Sequence, residues 1–369
     1  MRVLAAMSGG VDSAVAAALA AEAGHDVVGV HMALLRDRPQ SRLGSRGCCS
    51  IEDALDARRA ADKIGIPFYV WDLSETFQDT VVEDFLDEYA AGRTPNPCLR
   101  CNEHVKFETL LDRALALGFD AVATGHYAKI VRDGANSPAQ LHRARNMDKD
   151  QSYVLAVMGQ DKLDRALFPL GDFVTKDDVR AESARRDLPV SHKPDSYDIC
   201  FIPDGDTAGF LRERLGEQPG AIVDVDGKEL GQHQGAYAFT VGQRKGLHLG
   251  RPAADGKPRY VVDVRTDSNV VVVGPETLLT VNQLDTDGLV LYTDPADLLD
   301  ARDLTVQVRA HGNPVAATVE GMSTDEMRLR LDNAGLRGVA AGQSAVVYRG
   351  SRVLAQGTIT KATKASVAL

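Results

Sequence analysis

Within six positions near the start of this 369-residue chain, Ser8-Gly9-Gly10-Val11-Asp12-Ser13 places two hydroxyls, two glycines and a carboxylate. An apolar run at residues 3–7 precedes it and an Ala-rich run at 14–23 follows, which predicts strand, glycine turn and helix. The glycines let the backbone pass close to an anion, and the amides opening the helix aim the positive end of its dipole at the same point. The chemistry predicted is phosphate binding, with Ser8 and Ser13 supplying hydroxyls. No Lys follows as in G-x-x-x-x-G-K-[ST], so the segment is not built to grip β and γ phosphates for terminal transfer.

Sulfur is the second reactive element. The five cysteines, Cys48, Cys49, Cys98, Cys101 and Cys200, are an odd number, which argues against a structural disulfide framework and leaves core thiols, ligands or reactive groups. Pro95 and Pro97 stiffen the segment 92–102 and present Cys98 and Cys101 ahead of a helix predicted near 103–117. A thiol at a helix N-terminus ionises more easily. Cys98-x-x-Cys101 with His104 also has the spacing of half a zinc site, and Cys200 between Ile199 and Phe201 also fits a buried thiol. Adjacent thiols seldom both reach one tetrahedral ion, so Cys48 and Cys49 read as packing or loop residues.

The elements positioning these groups follow an α/β rhythm. A second strand is predicted at 26–32, a helix capped by Ser50 with Asp53 runs to about 64, and a third strand follows Pro67 at 68–71. A helix from Ser74 puts Phe77, Val81, Phe85 and Tyr89 on one face, and a strand at 121–124 ends at Gly125-His126-Tyr127. Such alternation indicates a parallel sheet covered on both sides, with ligands beyond the carboxyl ends of its strands. Asp148-Lys149-Asp150-Gln151-Ser152-Tyr153 opens another helical region, and Thr175 with Asp178 caps a further helix closed by Pro189. From about Asp204 helical alternation is expected to stop. Residues 1–203 form the α/β domain, 204–275 a small mainly β connecting domain, and 276–369 a β-barrel with strands near 289–292, 304–309, 328–331, 344–348 and 353–360.

A net charge of -10 argues against a generally basic nucleic-acid binder. Charge is uneven, however. Residues 301–369 hold nine Lys and Arg against five Asp and Glu, and 243–259 carry Arg244, Lys245, Arg251, Lys257 and Arg259 against Asp255 alone, enough for a basic face. The first 23 residues imitate a signal peptide, but Asp12 and the Ser-Gly loop break the apolar run, so a cytoplasmic location with no membrane span is expected.

The SGGVDS string resembles the pyrophosphatase loop of the N-type ATP pyrophosphatases, which split ATP into AMP and pyrophosphate while adenylating a carbonyl oxygen. Together with Cys48-Cys49, residues 92–102, 123–127, 148–153, 195–201 and 239–246, its order and spacing resemble the bacterial tRNA-specific 2-thiouridylases. The C-terminal third resembles them loosely, through Ala341-Gly342-Gln343-Ser344. The resemblance implies exchange of oxygen for sulfur at C2 of the wobble uridine in the tRNAs for Glu, Lys and Gln. It implies an ATP site at Ala6, Met7, Ser8, Gly9, Gly10, Val11, Asp12, Ser13, Met32 and Gly125, with Asp12 helping to hold Mg²⁺. It implies Cys101 as nucleophile and Cys200 as persulfide carrier, loaded by a persulfide sulfur-carrier protein or a cysteine desulfurase. Contacts to the tRNA anticodon stem-loop fall on Asn96, Pro97, Cys98, His126, Asp148, Lys149, Asp150, Arg244, Lys245 and Gln343. The chemistry agrees: a carbonyl oxygen leaves poorly until adenylated, and cysteine persulfide is a form of sulfur that a protein can hold.

Two departures keep alternatives open. Cys98 stands where an Asp is expected, and Tyr197-Asp198 where Thr-Gly is frequent, so either Asp198 supplies a general base or none is needed. Cys98, Cys101 and Cys200 together also suit an iron-sulfur cluster delivering sulfide. The rivals in function are a sibling adenylating ligase using an amine and a non-catalytic tRNA-binding or metal-storage protein; neither accounts for both the loop cysteines and an intact SGGVDS loop.

Overall fold

The computed structural model describes residues 1–35, 51–134, 137–194, 199–249, 255–332 and 335–363. Ser50, Cys48, Cys49, Arg251 and residues 195–198, including Asp198, lie outside the described residues. The chain divides into two compact units, one of Met1–Val82, Pro97–Gly205 and Ser351–Val353, the other of Glu83–Asn96, Asp206–Gly350 and Leu354–Leu369.

The first unit is built on a five-stranded sheet of β1 (Arg2–Ala6), β2 (Asp26–Ala33), β3 (Phe68–Asp72), β4 (Ala121–Ala123) and β7 (Ala166–Leu167), in the order β3-β2-β1-β4-β7 with every pair parallel. Helix α1 (Val11–Glu22) packs its small buried residues, from Ala14 to Ala20, against β1, and α2 (Ile51–Ile64) buries Ala57, Ala60 and Ala61 in the same core. Because β2 and β4 flank β1 on opposite sides, the strand order reverses there, and a crevice opens beyond the carboxyl ends of β1 and β4. A hairpin of β5 (Ala128–Val131) and β6 (Gln140–Arg143), absent from the sequence-based expectation, separates β4 from β7.

Two helical expectations are corrected. The helix predicted near 103–117 begins earlier, at Pro97: Pro97–Arg100 runs into a π-helical stretch, Cys101–Thr109, and on into Leu110–Ala116. Proline is well placed in a first turn because the amide it lacks has no intrahelical partner there. The helix from Ser74 changes likewise from Ser74–Phe77 to a π turn at Gln78–Val82. The Thr175 cap is present in full: Thr175 Oγ1 accepts from the Asp178 amide at 3.1 Å and Asp178 Oδ2 accepts from the Thr175 amide at 2.9 Å, opening Lys176–Arg185.

In the second unit β8 (Gly220–Val223), β9 (Glu229–His233), β10 (Tyr260–Arg265) and β11 (Val270–Gly274) form a sheet in the order β10-β11-β8-β9 over a core of Ile222, Leu247, Val261, Val271 and Val273. Helicity does not stop at Asp204, for Asp206 caps a helix at Thr207–Leu215 that ends on Gly216 at φ +76. The short pair β12 (Thr280–Val281) and β17 (Leu336–Arg337) stands apart. A barrel closes through β13 (Gln283–Leu291), β14 (Leu304–Gln307), β15 (Val315–Met322), β16 (Met327–Leu331), β18 (Ser344–Arg349) and β19 (Arg352–Thr363), in the order β13-β16-β15-β14-β18-β19 with β19 returning to β13. Closure leaves no free sheet edge among these six strands. Among the described residues no helix is long and apolar enough to cross a membrane.

Candidate active site

A cavity of about 270 Å³ lies in the first unit at the reversal point of the sheet. One wall is the glycine loop after β1: Ala6, Ser8, Asp12 and Ser13 line it, with Met32 and Gly125. Gly9 is needed for its conformation, with φ +81 and the Asp53 carbonyl oxygen 2.2 Å from where a Cβ would stand. Gly125 is needed for closeness, since its Cβ would lie 2.7 Å from the Ser13 amide nitrogen. Gly10 caps α1 in an extended conformation. The Ser13 hydroxyl, predicted to serve a phosphate, accepts from the Ser8 amide at 3.1 Å and lies 3.1 Å from the Gly10 carbonyl, which ties the loop together.

Behind the loop, Met7 is buried; its carbonyl accepts from His31 Nδ1 at 2.9 Å, and burial holds His31 below its ordinary pKa. Lys193 Nζ ties Asp53 Oδ1 at 2.7 Å and Asp56 Oδ2 at 2.8 Å. Burial opposes the Lys193 charge, but its bonds to the two carboxylates prevail and raise its pKa.

Asp12 is the only acidic residue lining the cavity among the described residues. Both its oxygens are held by Lys176 Nζ, at 2.6 and 2.5 Å, and Oδ1 also accepts from the Tyr127 hydroxyl at 2.7 Å. Sequence reasoning missed Lys176, though a signal existed: a cation at the first position of a helix works against the dipole and needs a strong compensating partner.

The opposite wall carries sulfur. Pro97, Cys98, Cys101, Ile199, Cys200 and Phe201 all line the cavity, so three of the predicted thiols face one space. Cys98 is exposed, Cys101 buried and Cys200 intermediate. Phe201 meets Phe77 edge to face at 5.9 Å, seating the Cys200 segment on the helical turn Ser74–Phe77. Because the helix starts at Pro97, Cys98 occupies the first turn while Cys101 lies beyond it, outside the reach of the helix-end charge invoked for it. Among the described residues no three His, Cys, Asp or Glu side chains converge to hold a metal, so neither the zinc spacing nor the three-thiol set forms a ready cluster site.

Between the walls stand Asn102, Lys106, Thr124 and His126. Lys106 Nζ donates to Asn102 Oδ1 at 3.0 Å and lies 3.4 Å from His126 Nε2. An ammonium only donates, so His126 accepts at Nε2 and carries its proton on Nδ1, which donates to Thr124 Oγ1 at 2.8 Å. Burial and then the Lys106 charge hold His126 well below its ordinary pKa, leaving it neutral.

The remaining predicted residues are dispersed. Asp148 and Lys149 sit exposed on the turn Met147–Lys149. Asp150, expected to touch tRNA, is an internal anchor with a side chain 4% exposed: it pairs with Arg143 at 2.9 Å and accepts from the Ala144 amide and the Ser152 hydroxyl. In the second unit Arg244 and Lys245 are exposed, and Arg244 shares a cavity of about 420 Å³ with His248, Lys257 and Arg259. Asn96 closes the Glu83–Asn96 segment of that unit. Gln343 follows Gly342, whose φ is +88, and its buried Oε1 has no hydrogen-bond partner among the described residues.

A phosphate cradle at the reversal point of a parallel sheet, facing a wall of thiols, defines an ATP-pyrophosphatase fold equipped for sulfur chemistry. Residues 1–204 match the family described as tRNA methyl transferase HUP domain, 208–275 its PRC-barrel domain, and 288–359 the aminomethyltransferase beta-barrel domain. Proteins named tRNA-specific 2-thiouridylase MnmA are similar over nearly the whole chain. That of Beutenbergia cavernae is 66% identical, covering 100% of this chain and 97% of its own, and that of Kineococcus radiotolerans is 60% identical, covering 99% and 100%. The chain belongs to the tRNA-specific 2-thiouridylase family. Among solved structures, a 4-thiouridine synthetase in complex with RNA and ATP matches at TM-score 0.35 and 15% identity over 58% of this chain and 50% of its own, too distant to add to the assignment.

Proposed function

We propose that this protein replaces the C2 oxygen of the wobble uridine of tRNA by sulfur, in the tRNAs for Glu, Lys and Gln, at the expense of ATP. The observation that carries the reading is the single cavity lined on one wall by the loop of Ser8, Asp12 and Ser13 and on the other by Cys98, Cys101 and Cys200. Amides at the start of α1 hold the nucleotide phosphates, Met32 flanks the base and Gly125 lets the loop close. The uridine O2 attacks the α-phosphorus, pyrophosphate leaves, N3 gives up its proton to solvent, and C2, now doubly bonded to N3, carries an AMP leaving group. Cys200 holds a persulfide received from a sulfur-carrier protein or a desulfurase. The Cys101 thiolate attacks Cys200 Sγ, the sulfur–sulfur bond breaks, and the terminal sulfur leaves as hydrosulfide, which displaces AMP at C2.

Mg²⁺ fits one carboxylate plus substrate phosphates, the usual arrangement for this ion. Asp12 would hold it once Lys176 turns away toward the phosphates, and the ion would neutralise the leaving pyrophosphate. Among the described residues the thiols do not converge as an iron-sulfur cluster requires. The reading places the domains at 1–203, 204–275 and 276–369 and the protein in the cytoplasm. It is tested by products: tRNA-dependent ATP consumption should give AMP and pyrophosphate with 2-thiouridine in the digested tRNA, whereas ADP and phosphate would remove it.

Arg244 and Lys245, exposed on a basic rim, are the proposed phosphate contacts of the second unit. Replacing both by Ala should weaken tRNA binding and make the slope of log affinity against log salt shallower by about 1.5, at ~0.7 to 0.9 per contact. A filter-binding salt series with an unchanged slope would place the tRNA on another face.

A further inference from the structure

Lys106 is the only Lys or Arg lining the cavity among the described residues. Its placement depends on the π-helical stretch Cys101–Thr109. In an α-helix the residue five positions after Cys101 would lie about 140° around the axis, facing away from it. With i→i+5 bonding that residue returns closer to the same face, and π segments are frequent at functional sites. Lys106 and Cys101 accordingly line one cavity.

The ammonium is also held there. Asn102, 1% exposed and itself donating to the Val154 carbonyl at 2.8 Å, accepts one Lys106 proton, and His126 accepts another. A neutral His126, locked by Thr124, adds no competing charge. With two of three donors committed, the third remains for a ligand in the cavity. Most of the lining around it is apolar, from Met32, Leu34, Phe77 and Val81 to Val154 and Phe201, so a fixed cation acts there with little screening.

We propose that Lys106 is a catalytic residue of the sulfur-addition step, donating a hydrogen bond to the pyrimidine ring where negative charge gathers. The inference rests on the thiolation reading. When hydrosulfide adds to the adenylated C2, the C2=N3 electron pair moves onto N3 and, by conjugation, toward O4; the Lys106 N–H faces this anion. The pair returns to re-form C2=N3, the C2–O bond breaks with its electrons leaving on AMP, and the sulfur-bound proton passes to N3, giving the thione. No electron is gained or lost in the ring. Charge in the earlier adenylation step gathers on the phosphates, on the other wall, so Lys106 should matter little to it.

Single-turnover measurement on the intact protein with tRNA, ATP and sulfide separates the steps. Lys106→Met should slow 2-thiouridine formation by about 10²- to 10³-fold, as for loss of one preorganised donor, while pyrophosphate release stays within about three-fold and adenylated tRNA accumulates. Lys106→Arg should recover part of the transfer rate, and KM for tRNA should hold in both. Transfer within three-fold of wild type in Lys106→Met, or equal losses in pyrophosphate release and transfer with a folded protein, would overturn the proposal. Absence of pyrophosphate in the wild type would instead defeat the underlying thiolation reading.

Discussion

Cys200→Ser should abolish thiolation from a persulfide donor, with 2-thiouridine below about one thousandth of wild type, because a serine hydroxyl cannot hold the sulfane sulfur. Cys101→Ser should be equally inactive but should still accept the persulfide, detectable as added sulfur on the Cys200 peptide. Cys98→Ser should be mild, for Cys98 lies exposed in the first helical turn and neither stores nor releases sulfur in this scheme. After one turnover without reductant, non-reducing peptide mapping of the wild type should find a bond between Cys101 and Cys200. Their Cα atoms must then come within roughly 7 Å, which both thiols lining one cavity makes reachable. A Cys200→Ser variant active with persulfide would end the carrier role. Equal loss in all three cysteine variants, together with iron dependence, would favour a cluster.

Asp12→Ala should reduce Mg·ATP turnover by about 10²- to 10³-fold while leaving tRNA affinity within about two-fold, since the basic rim lies on Arg244, Lys257 and Arg259. Asp12 accepts two bonds from the Lys176 ammonium and one from the Tyr127 hydroxyl. Its removal leaves the Lys176 ammonium, with a side chain 15% exposed, without those bonds. Lys176→Met should also be severely impaired, through loss of the cation that compensates the phosphates. The double variant should be no worse than either single, because the two side chains act as one unit. Additive losses in pyrophosphate release would show that the two residues act independently.

The glycine loop was legible because a strand, a turn rich in glycine and an Ala-rich helix each carry a local signal, and the loop lies where β1 meets α1. Thr175 and Asp178 were legible for the same reason: a capping box is a contact three residues long. What escaped depends on distance or on register. Lys176 reaches Asp12 across 164 positions, which no spacing rule connects. The π stretch that turns Lys106 toward Cys101 differs from an α-helix in its hydrogen-bond register, with no residue type to announce it. Strand β15 was overlooked because Ala316 and Ala317 blur the alternation that Val315 and Val319 would otherwise show. The helix Thr207–Leu215 had its marks, Asp206 before it and Gly216 after it, but they were outweighed by the turn residues on either side. Asp150 was misplaced because its neighbours Asp148 and Lys149 are exposed, while the partner that buries it, Arg143, stands on β6 of a hairpin that was not foreseen.

In this scheme the uridine oxygen leaves bonded to the α-phosphorus of ATP, and isotope labelling follows that oxygen. tRNA carrying ¹⁸O at O2 of the wobble uridine, incubated with the protein, unlabelled ATP and a sulfur source, should yield 2-thiouridine together with AMP that has gained one ¹⁸O per thiolation, read by mass spectrometry. Thiolated tRNA accompanied by unlabelled AMP, with the ¹⁸O in water, pyrophosphate or inorganic phosphate, would contradict the adenylate and with it the role assigned to the glycine loop.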